Sequence, residues 1–449
     1  MTSLSELREI TDWKKGLISP TVFFDEEVYR RERERVFGRA WLVVGHEDMI
    51  RKPGDYVTSY MGEVSVIVLR DTQEKIRVFV NRCAHRGNQV CLFDRGNAGG
   101  FTCSYHGWTY DLGGRLTGVP MERELYRGEL KKEAWGLEEV PRVANFKGLV
   151  FASFDAGAPA LEEWLGEDVR WWLQTFVLAE PLGGLEALPG WHRYRSPGNW
   201  KLISENFIGD DYHVYAATHV SWFKVAREFA EKGMLIPMVT YPGDPGGPAY
   251  EGSAGYGRGC PLGLGIVVVD EPVYRRDLEE ARQLGPEAVE WVQERRARLQ
   301  EVLKDRETKP YSFMNGLLFP NLGLMGFLSP MLGRQFLLFH PRGIWKHEVW
   351  QWTMVERQAP KAVKELAVQR AYQGQHMAGI IAPDDVENFE RVVEAMRPPR
   401  NWRRPFHYGL QLGHEEEGPR GVPGNLGPNP SEVNQRQFYR FWLELMERD

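Results

Sequence analysis

The chain has 449 residues, 42% of them hydrophobic and 26% charged, with a net charge of −6. That length predicts two domains, and the acidic balance argues against a nucleic-acid role. Four cysteines leave no disulfide framework once two are assigned elsewhere. No run approaches 18 apolar residues, and Met1 to Arg8 carries no basic or apolar leader pattern, so a cytoplasmic setting is expected.

Residues 23–37 are charged and periodic, which predicts one amphipathic helix. From about Trp41 to Phe154 short β-branched and aromatic runs at 65–69, 76–80 and 148–154 alternate with Gly and Asn turns, the texture of a small all-β domain. Its loops carry Cys83-Ala84-His85-Arg86-Gly87 and, with seventeen residues between His85 and Cys103, Cys103-Ser104-Tyr105-His106-Gly107-Trp108. Two thiolates and two imidazoles are the ligand set of a Rieske [2Fe–2S] cluster. The adjacent glycines let backbone amides approach inorganic sulfur. Structural zinc is the competing reading, but it favours Cys-x2-Cys or His-x3-5-His spacing.

Helix signals follow at 160–178 and 197–217, a Gly/Pro-rich loop at 241–262 that could act as a lid or be a plain excursion, a strand at 264–270 and a helix at 276–305. Strands at 335–340 and 347–356, a helix at 358–377, a second Gly/Pro stretch at 414–430 and a terminal helix at 431–447 complete the chain. Within 205–219 lie Asp210, His213 and His219. The two histidines are six apart, so a regular helix does not place them on one face, and a bend or helix end is needed for a shared metal. Asp210 and His213, three apart, do share a face. A protein with a one-electron centre commonly feeds a second redox site, and two histidines with one carboxylate hold Fe(II) with positions open. Pro383-Asp384-Asp385-Val386-Glu387-Asn388 is the best source of that carboxylate, and equally reads as an N-cap opening a solvated helix.

These residues carry a family resemblance. The chain resembles the large (α) subunits of Rieske non-haem iron aromatic-ring-hydroxylating dioxygenases, the group that includes naphthalene and biphenyl dioxygenase, over essentially its whole length. The matching segments are both Cys/His pairs, Asn199-Trp200-Lys201, Glu205-Asn206-Phe207-x-Gly209-Asp210-x-Tyr212-His213 with His219, Asp384-Asp385-x-Glu387-Asn388, Phe319-Pro320-Asn321, His340-Pro341-Arg342-Gly343, and the tail from Glu432 through Phe438-Tyr439-Arg440 and Trp442 to Met446. The resemblance implies an α+β fold: an all-β Rieske domain (39–157) inserted between an N-terminal helical segment (1–38) and a larger catalytic domain (158–449) with a helix-grip-like antiparallel sheet.

It further implies one [2Fe–2S] cluster per chain on Cys83, His85, Cys103 and His106, and one mononuclear Fe(II) on His213, His219 and Asp385. Asp210 would bridge His106 of one subunit and His213 of the next in an α trimer, with Asn206 beside the iron. The implied activity is a terminal oxygenase that converts an aromatic ring to a cis-dihydrodiol with O2. Its electrons come from an NAD(P)H-dependent reductase through a ferredoxin, and a small β subunit makes α3β3 favoured over α3. A Rieske monooxygenase or O-/N-demethylase, and an electron carrier fused to a non-catalytic binding module, are the alternatives. Phe207, Val214, Gln375 and His376 are pocket candidates, with core packing the competing role for Phe207 and Val214. Ala382-Pro383 replaces the polar pair usual before the aspartates, and Gln373 to His376 is more polar than a purely hydrocarbon pocket needs. A polyaromatic, a simple arene or an aromatic acid all stay open as substrate.

Overall fold

Short β-branched and aromatic runs in the first third of the chain, and long apolar strands after residue 260, build two units: Arg33–Leu161, and Met1–Glu32 with Glu162–Asp449. The computed structural model describes residues 4–221, 250–255, 261–304, 311–374, 376–397, 404–417, 424–428 and 430–448.

The smaller unit is all β apart from short helical turns. One antiparallel sheet runs Ile76–Val80, Val64–Arg70, Asp55–Met61, Arg95–Asn97. A three-stranded sheet joins Arg142–Phe146, Leu149–Ser153 and Leu42–His46, and another joins Leu116–Gly118, Thr109–Asp111 and Gly100–Thr102. Ile67, Leu69, Phe79, Trp108 and Tyr110 pack into a core that also buries Cys83 and Cys103.

The larger unit is organised by an antiparallel sheet of ten strands: β1 (Leu185–Ala187), β2 (His192–Pro197), β3 (Tyr250–Gly255), β4 (Leu262–Val269), β5 (Tyr311–Leu318), β6 (Leu322–Met325), β7 (Arg334–Pro341), β8 (Lys346–Glu356), β9 (Glu416–Glu417) and β10 (Asn425–Gly427). They lie in the order β1-β8-β7-β6-β5-β4-β3-β10-β9, with β2 also paired to β8. In the β7–β8 pair, Gln335 faces Thr353 and Leu337 faces Gln351, while Phe336 faces Trp352 and Leu338 faces Trp350. Side chains alternate along a strand, so the first set forms one face and the second the other. On the first face, Gln351 Nε2 donates to Gln335 Oε1 (3.3 Å) and Gln335 Nε2 donates to Thr353 Oγ1 (3.2 Å). The sheet therefore presents a polar strip as well as apolar positions.

Helices α1 (Trp200–Phe207), α2 (Asp211–Ala216), α3 (Ala382–Met396) and α4 (Val433–Glu447) surround the future site. Helix α1 starts at Asn199, whose side chain accepts from the Lys201 amide at 3.1 Å, a standard N-cap. Glu32 anchors its first turn: it accepts from Trp200 Nε1 (2.9 Å), Lys201 Nζ (2.5 Å) and, from α4, Trp442 Nε1 (2.8 Å). Glu32 and Lys201 are fully buried, so removing either would strand the other's charge in the core.

Several expected elements differ. The single helix at 23–37 is two short helices, Thr21–Phe24 and Glu26–Arg31, followed by a π segment at Glu32–Val36; Asp25, accepting from the amides of Glu27 and Val28, restarts the chain. The helix at 276–305 is two, Glu271–Leu284 and Pro286–Lys304, parted at Gly285 with φ of +112°. Of the loop at 241–262, residues 250–255 are strand β3, paired with β4 and β10; the lid reading otherwise falls mostly outside the described residues. Strands β1, β2, β5 and β6 had no forecast: β5 is buried on both faces, β1 and β6 are too short to show a period of two, and the polar run of β2 carries no apolar alternation.

The most consequential difference is the helix expected over 197–217. It ends at Phe207, and α2 begins at Asp211. Gly209 between them has φ of +129°, a region that favours glycine. A Cβ on Gly209 would meet Asn434 Nδ2 at 2.9 Å and Gly265 Cα at 3.1 Å. Asn434 on α4 donates to Ile208 O (2.8 Å), a carbonyl freed by the break, and to Leu264 O of β4 (2.9 Å), which ties the break to the sheet. Among the described residues no helix is long and apolar enough to cross a membrane. Gly209→Ala should destabilise the protein by about 1–3 kcal/mol and reduce iron bound by the larger unit, measured by denaturant unfolding and metal analysis.

Candidate metal centres

In the smaller unit the two Cys/His pairs form near-equivalent loops. Cys83 N donates to Asn88 O and Cys103 N to Trp108 O, both at 2.8 Å; Gly87 N donates to Cys83 O and Gly107 N to Cys103 O, both at 2.9 Å. Gly87 and Gly107 have φ of +76° and +73°, so the same left-handed turn returns each loop. The loops bring the His85 and His106 rings to 4.5 Å between centroids, with His85 stacked on Trp108 at 4.9 Å. Both cysteines are buried, and His85 Nδ1 is buried with no hydrogen-bond partner. Burial alone would raise the Cys103 thiol, yet it is lowered, because the Tyr105 and His106 amides and the Asn88 side chain donate toward it. A lowered Cys103 thiol, an orphaned imidazole nitrogen and paired loops fit a cluster with two cysteines on one iron and two histidines on the other.

Tyr110 adds a contact that the sequence alone did not signal. Its Oη lies 3.2 Å from Cys83 Sγ and accepts from the Ala84 amide at 3.1 Å. A cluster-bound Cys83 sulfur would carry no proton, so the hydroxyl would be the donor of this pair.

In the larger unit, the break at Gly209 positions Asp210, His213 and His219. Asp210 Oδ1 accepts from the His213 amide (3.4 Å), and Oδ2 lies 3.1 Å from His213 Nδ1. Helix α2 ends at Ala216, after which the Thr218 amide donates to His213 O at 2.9 Å and the chain turns to deliver His219. The required bend is thus a helix start on one side and a helix end on the other. Asp385 comes from the first turn of α3. His213 Nε2 and His219 Nε2 lie 3.3 and 3.2 Å from the same oxygen, Asp385 Oδ1. These three ligand atoms fall within 4.8 Å of one another, the one such group among the described residues. Asn206 Nδ2 sits against the same centre, 3.3 Å from His213 Nε2 and 3.4 Å from Asp385 Oδ1.

Burial would raise the Asp385 carboxyl, but hydrogen bonds from His213 and His219 bring it down to about 2. His213 is raised well above its usual value: burial opposes the proton, and Asp210 and then Asp385 outweigh it. Two imidazoles and an ionised carboxylate converging at one point fit a divalent metal with open positions. The N-cap reading of the aspartates is not met, since Ile381 precedes the helix and no side chain caps it. Asp384 Oδ2 instead lies 3.5 Å from His219 Nδ1, so the pair Asp384-Asp385 divides between the two sides of one imidazole.

A cavity adjoins Asp385, walled by Phe207, Leu337, Ile381 and Phe389, with Tyr194, Asn206 and Gln351 as polar members. Phe207 packs edge-on against Phe339. Val214 is buried on α2 and does not line this cavity. His376 does not line it either: it is buried 3.2 Å from Gln335 Oε1 and stacked on Tyr372, with burial bringing it down to about 4. Gln375 lies outside the described residues. Tyr194 and Gln351 were missed because nothing in their strands separates a pocket-facing polar residue from a satisfied one.

Behind Asn206, Glu205 is held by Tyr408 Oη (2.9 Å) and Tyr439 Oη. Burial pushes it up to about 8, against the opposing hydrogen bonds of both tyrosines.

The sequence profile of the Rieske [2Fe–2S] domain matches residues 40–141, and that of the ring-hydroxylating α subunit catalytic domain matches residues 187–448. The chain belongs to the ring-hydroxylating α subunits. It is 34% identical to the biphenyl 2,3-dioxygenase α subunit of Rhodococcus jostii (strain RHA1), covering 98% of this chain and 91% of that one. It is also 34% identical to a benzene 1,2-dioxygenase α subunit of Pseudomonas putida, covering 98% and 94%. The crystal structure of naphthalene 1,2-dioxygenase from Rhodococcus sp. bound to indole superposes with a TM-score of 0.78 at 31% identity, covering 99% of both chains. The α subunit accordingly carries a [2Fe–2S] cluster and a mononuclear iron, and is an oxidoreductase.

Two expectations follow for this α subunit. Tyr110→Phe removes a donor that stabilises the more negative, reduced cluster, so the potential should fall, on the order of 40 mV for about 1 kcal/mol, with the visible spectrum retained; protein-film voltammetry reads it. The folded state holds a proton on Glu205 up to about pH 8 that the unfolded state releases near the ordinary value of 4.5. Stability from this group therefore falls as pH rises through that window. Glu205→Gln should abolish that part of the slope in thermal melts taken between about pH 5 and about pH 8.

Proposed function

We propose that this chain is the terminal oxygenase subunit that dihydroxylates a neutral arene to a cis-dihydrodiol, with Cys83, His85, Cys103 and His106 as cluster ligands and His213, His219 and Asp385 as ligands of the mononuclear iron. The observation that carries it is the convergence of His213 Nε2 and His219 Nε2 on Asp385 Oδ1 beside a largely apolar cavity. When bound, the cluster supplies single electrons and the iron supplies oxygen activation.

The chain's own residues do the rest. Phe207, Leu337, Ile381 and Phe389 hold a flat apolar ring and exclude water. No lysine or arginine lines this cavity among the described residues, and Asp385 does, which favours an uncharged arene over an aromatic acid. Asn206 offers an amide donor to whatever lies between His213 and Asp385. Asp210 and Asp384 lie 3.1 and 3.5 Å from the outer nitrogens of His213 and His219, the place from which carboxylates support imidazole ligands. The Asp210 side chain is 36% exposed, so beyond holding His213 it can accept from an outside group, and His106 of a neighbouring subunit is the proposed donor. An α trimer with β subunits, fed by a reductase through a ferredoxin, belongs to the same reading.

Turnover under 18O2 with biphenyl, benzene and naphthalene, using a surrogate ferredoxin and reductase, tests it. Two labelled oxygens per product are expected. One label would establish a monooxygenase instead. Asp385→Ala should lose product entirely and bind about two irons per chain rather than about three, with the cluster's visible spectrum intact. Undiminished turnover would move the ligand role to another carboxylate.

A further inference from the structure

A second cavity, of about 20 Å³, lies between the helix Pro286–Lys304 and strands β5 and β7, and shares no lining residue with the cavity beside Asp385. Arg295, Arg334, Asp270, Tyr311, Ser312 and Phe327 are among its walls. Its volume admits at least one water-sized centre.

Charge and hydrogen bonding at this cavity are incomplete. Arg334 is only 4% exposed, and its guanidinium sits over the Phe327 ring at 5.4 Å. Its Nη2 pairs with Glu356 Oε1 at 2.9 Å, but Nε and Nη1 are buried with no hydrogen-bond partner. Glu356 is shared: Arg295 Nε donates to the same Oε1 at 2.9 Å and to Oε2 at 3.0 Å. Asp270 offers no relief, because Oδ1 accepts from Ser312 Oγ (2.7 Å) and Oδ2 is engaged by Arg296. Three largely buried guanidiniums, Arg295, Arg296 and Arg334, thus face two buried carboxylates, Asp270 and Glu356, while the half-exposed Glu271 is shared between Arg296 and Arg275. Burial pushes the next carboxyl, Asp277, up to about 7, toward its neutral form. Burial and the neighbouring Arg295 bring Arg334 down to about 10, even against Glu356.

Buried donors without a partner point to an unassigned occupant, and a buried cation without a full counter-charge points to an anion. We propose that this cavity holds one small monovalent anion of the halide class, bound between Arg334 and Arg295. It would complete the ion network that fastens the helix Pro286–Lys304 to the sheet.

Crystals of the holoenzyme grown in bromide in place of chloride, with data collected at the bromine edge, test the site. An anomalous peak at Arg334 is expected. In solution, the melting temperature should rise saturably in chloride or bromide over gluconate at matched ionic strength, by roughly 2 °C for a halide tenfold above its dissociation constant. Arg334→Met should lose that dependence; if it does not fold, the two wild-type measurements decide. Density without anomalous signal, which is water, overturns the proposal. A bromide peak with no halide-specific melting shift marks an adventitious ion only, and overturns it equally.

Discussion

The break in the helical segment at Ile208–Gly209–Asp210 is the constraint on which the larger unit's chemistry depends. A continuous helix would put His213 and His219 on different faces. The break needs a residue at φ of +129° with no Cβ, because Asn434 and Gly265 occupy the space a Cβ would fill. It also needs new partners for freed carbonyls, and Asn434 supplies one. Once broken, the chain restarts at Asp210, so the residue that caps α2 is also the residue that orients His213. One local backbone event thereby sets a helix boundary, the position of His213 and that imidazole's outer contact.

This arrangement costs free energy in its surroundings. Helix α1, which leads into the break, is pinned at its start by the buried Glu32–Lys201 pair and at its end by Glu205 between Tyr408 and Tyr439. Both are buried polar groups satisfied by the C-terminal helix or the segment beside it. Such groups contribute little net stability, but a slipped packing would leave a charge unpaired. They hold α1 in one register against α4, and hence hold Asn434 at the break. The smaller unit uses a lighter device: two loops with the same hydrogen bonds and the same glycine turn, closed over a packed core.

Legibility in the sequence varied with how local the cause was. The Cys/His pairs were readable because ligand types, spacing and glycines all lie within six residues. Strands 64–70 and 76–80 were readable because they are β-branched and aromatic runs bounded by turn residues. The five buried residues of Leu149–Ser153 were found from β-branched and aromatic content. The helix at 197–217 misled because its apolar period continues through the break; only Gly209 hinted otherwise, and a lone glycine does not say whether a helix ends. His376 misled because a polar residue near a predicted site reads the same whether it faces a ligand or, as here, Gln335. Tyr110, Asp384, Tyr194 and Gln351 gave no signal, since each acts on a partner that only folding brings near.

By itself the amino-acid sequence determined the chemical inventory: two thiolates, two pairs of imidazoles, an Asp-Asp segment and the α-subunit family, because ligand identity is covalent and the motifs are short. Tertiary structure decided the assignment of roles. It set Asp385 against both histidines and Asp384 behind His219, placed a tyrosine hydroxyl on the Cys83 sulfur, and left Arg334 with buried, unpartnered donors. Those outcomes depend on distances of about 3 Å between groups up to 179 residues apart in the chain. No periodicity or composition encodes such distances.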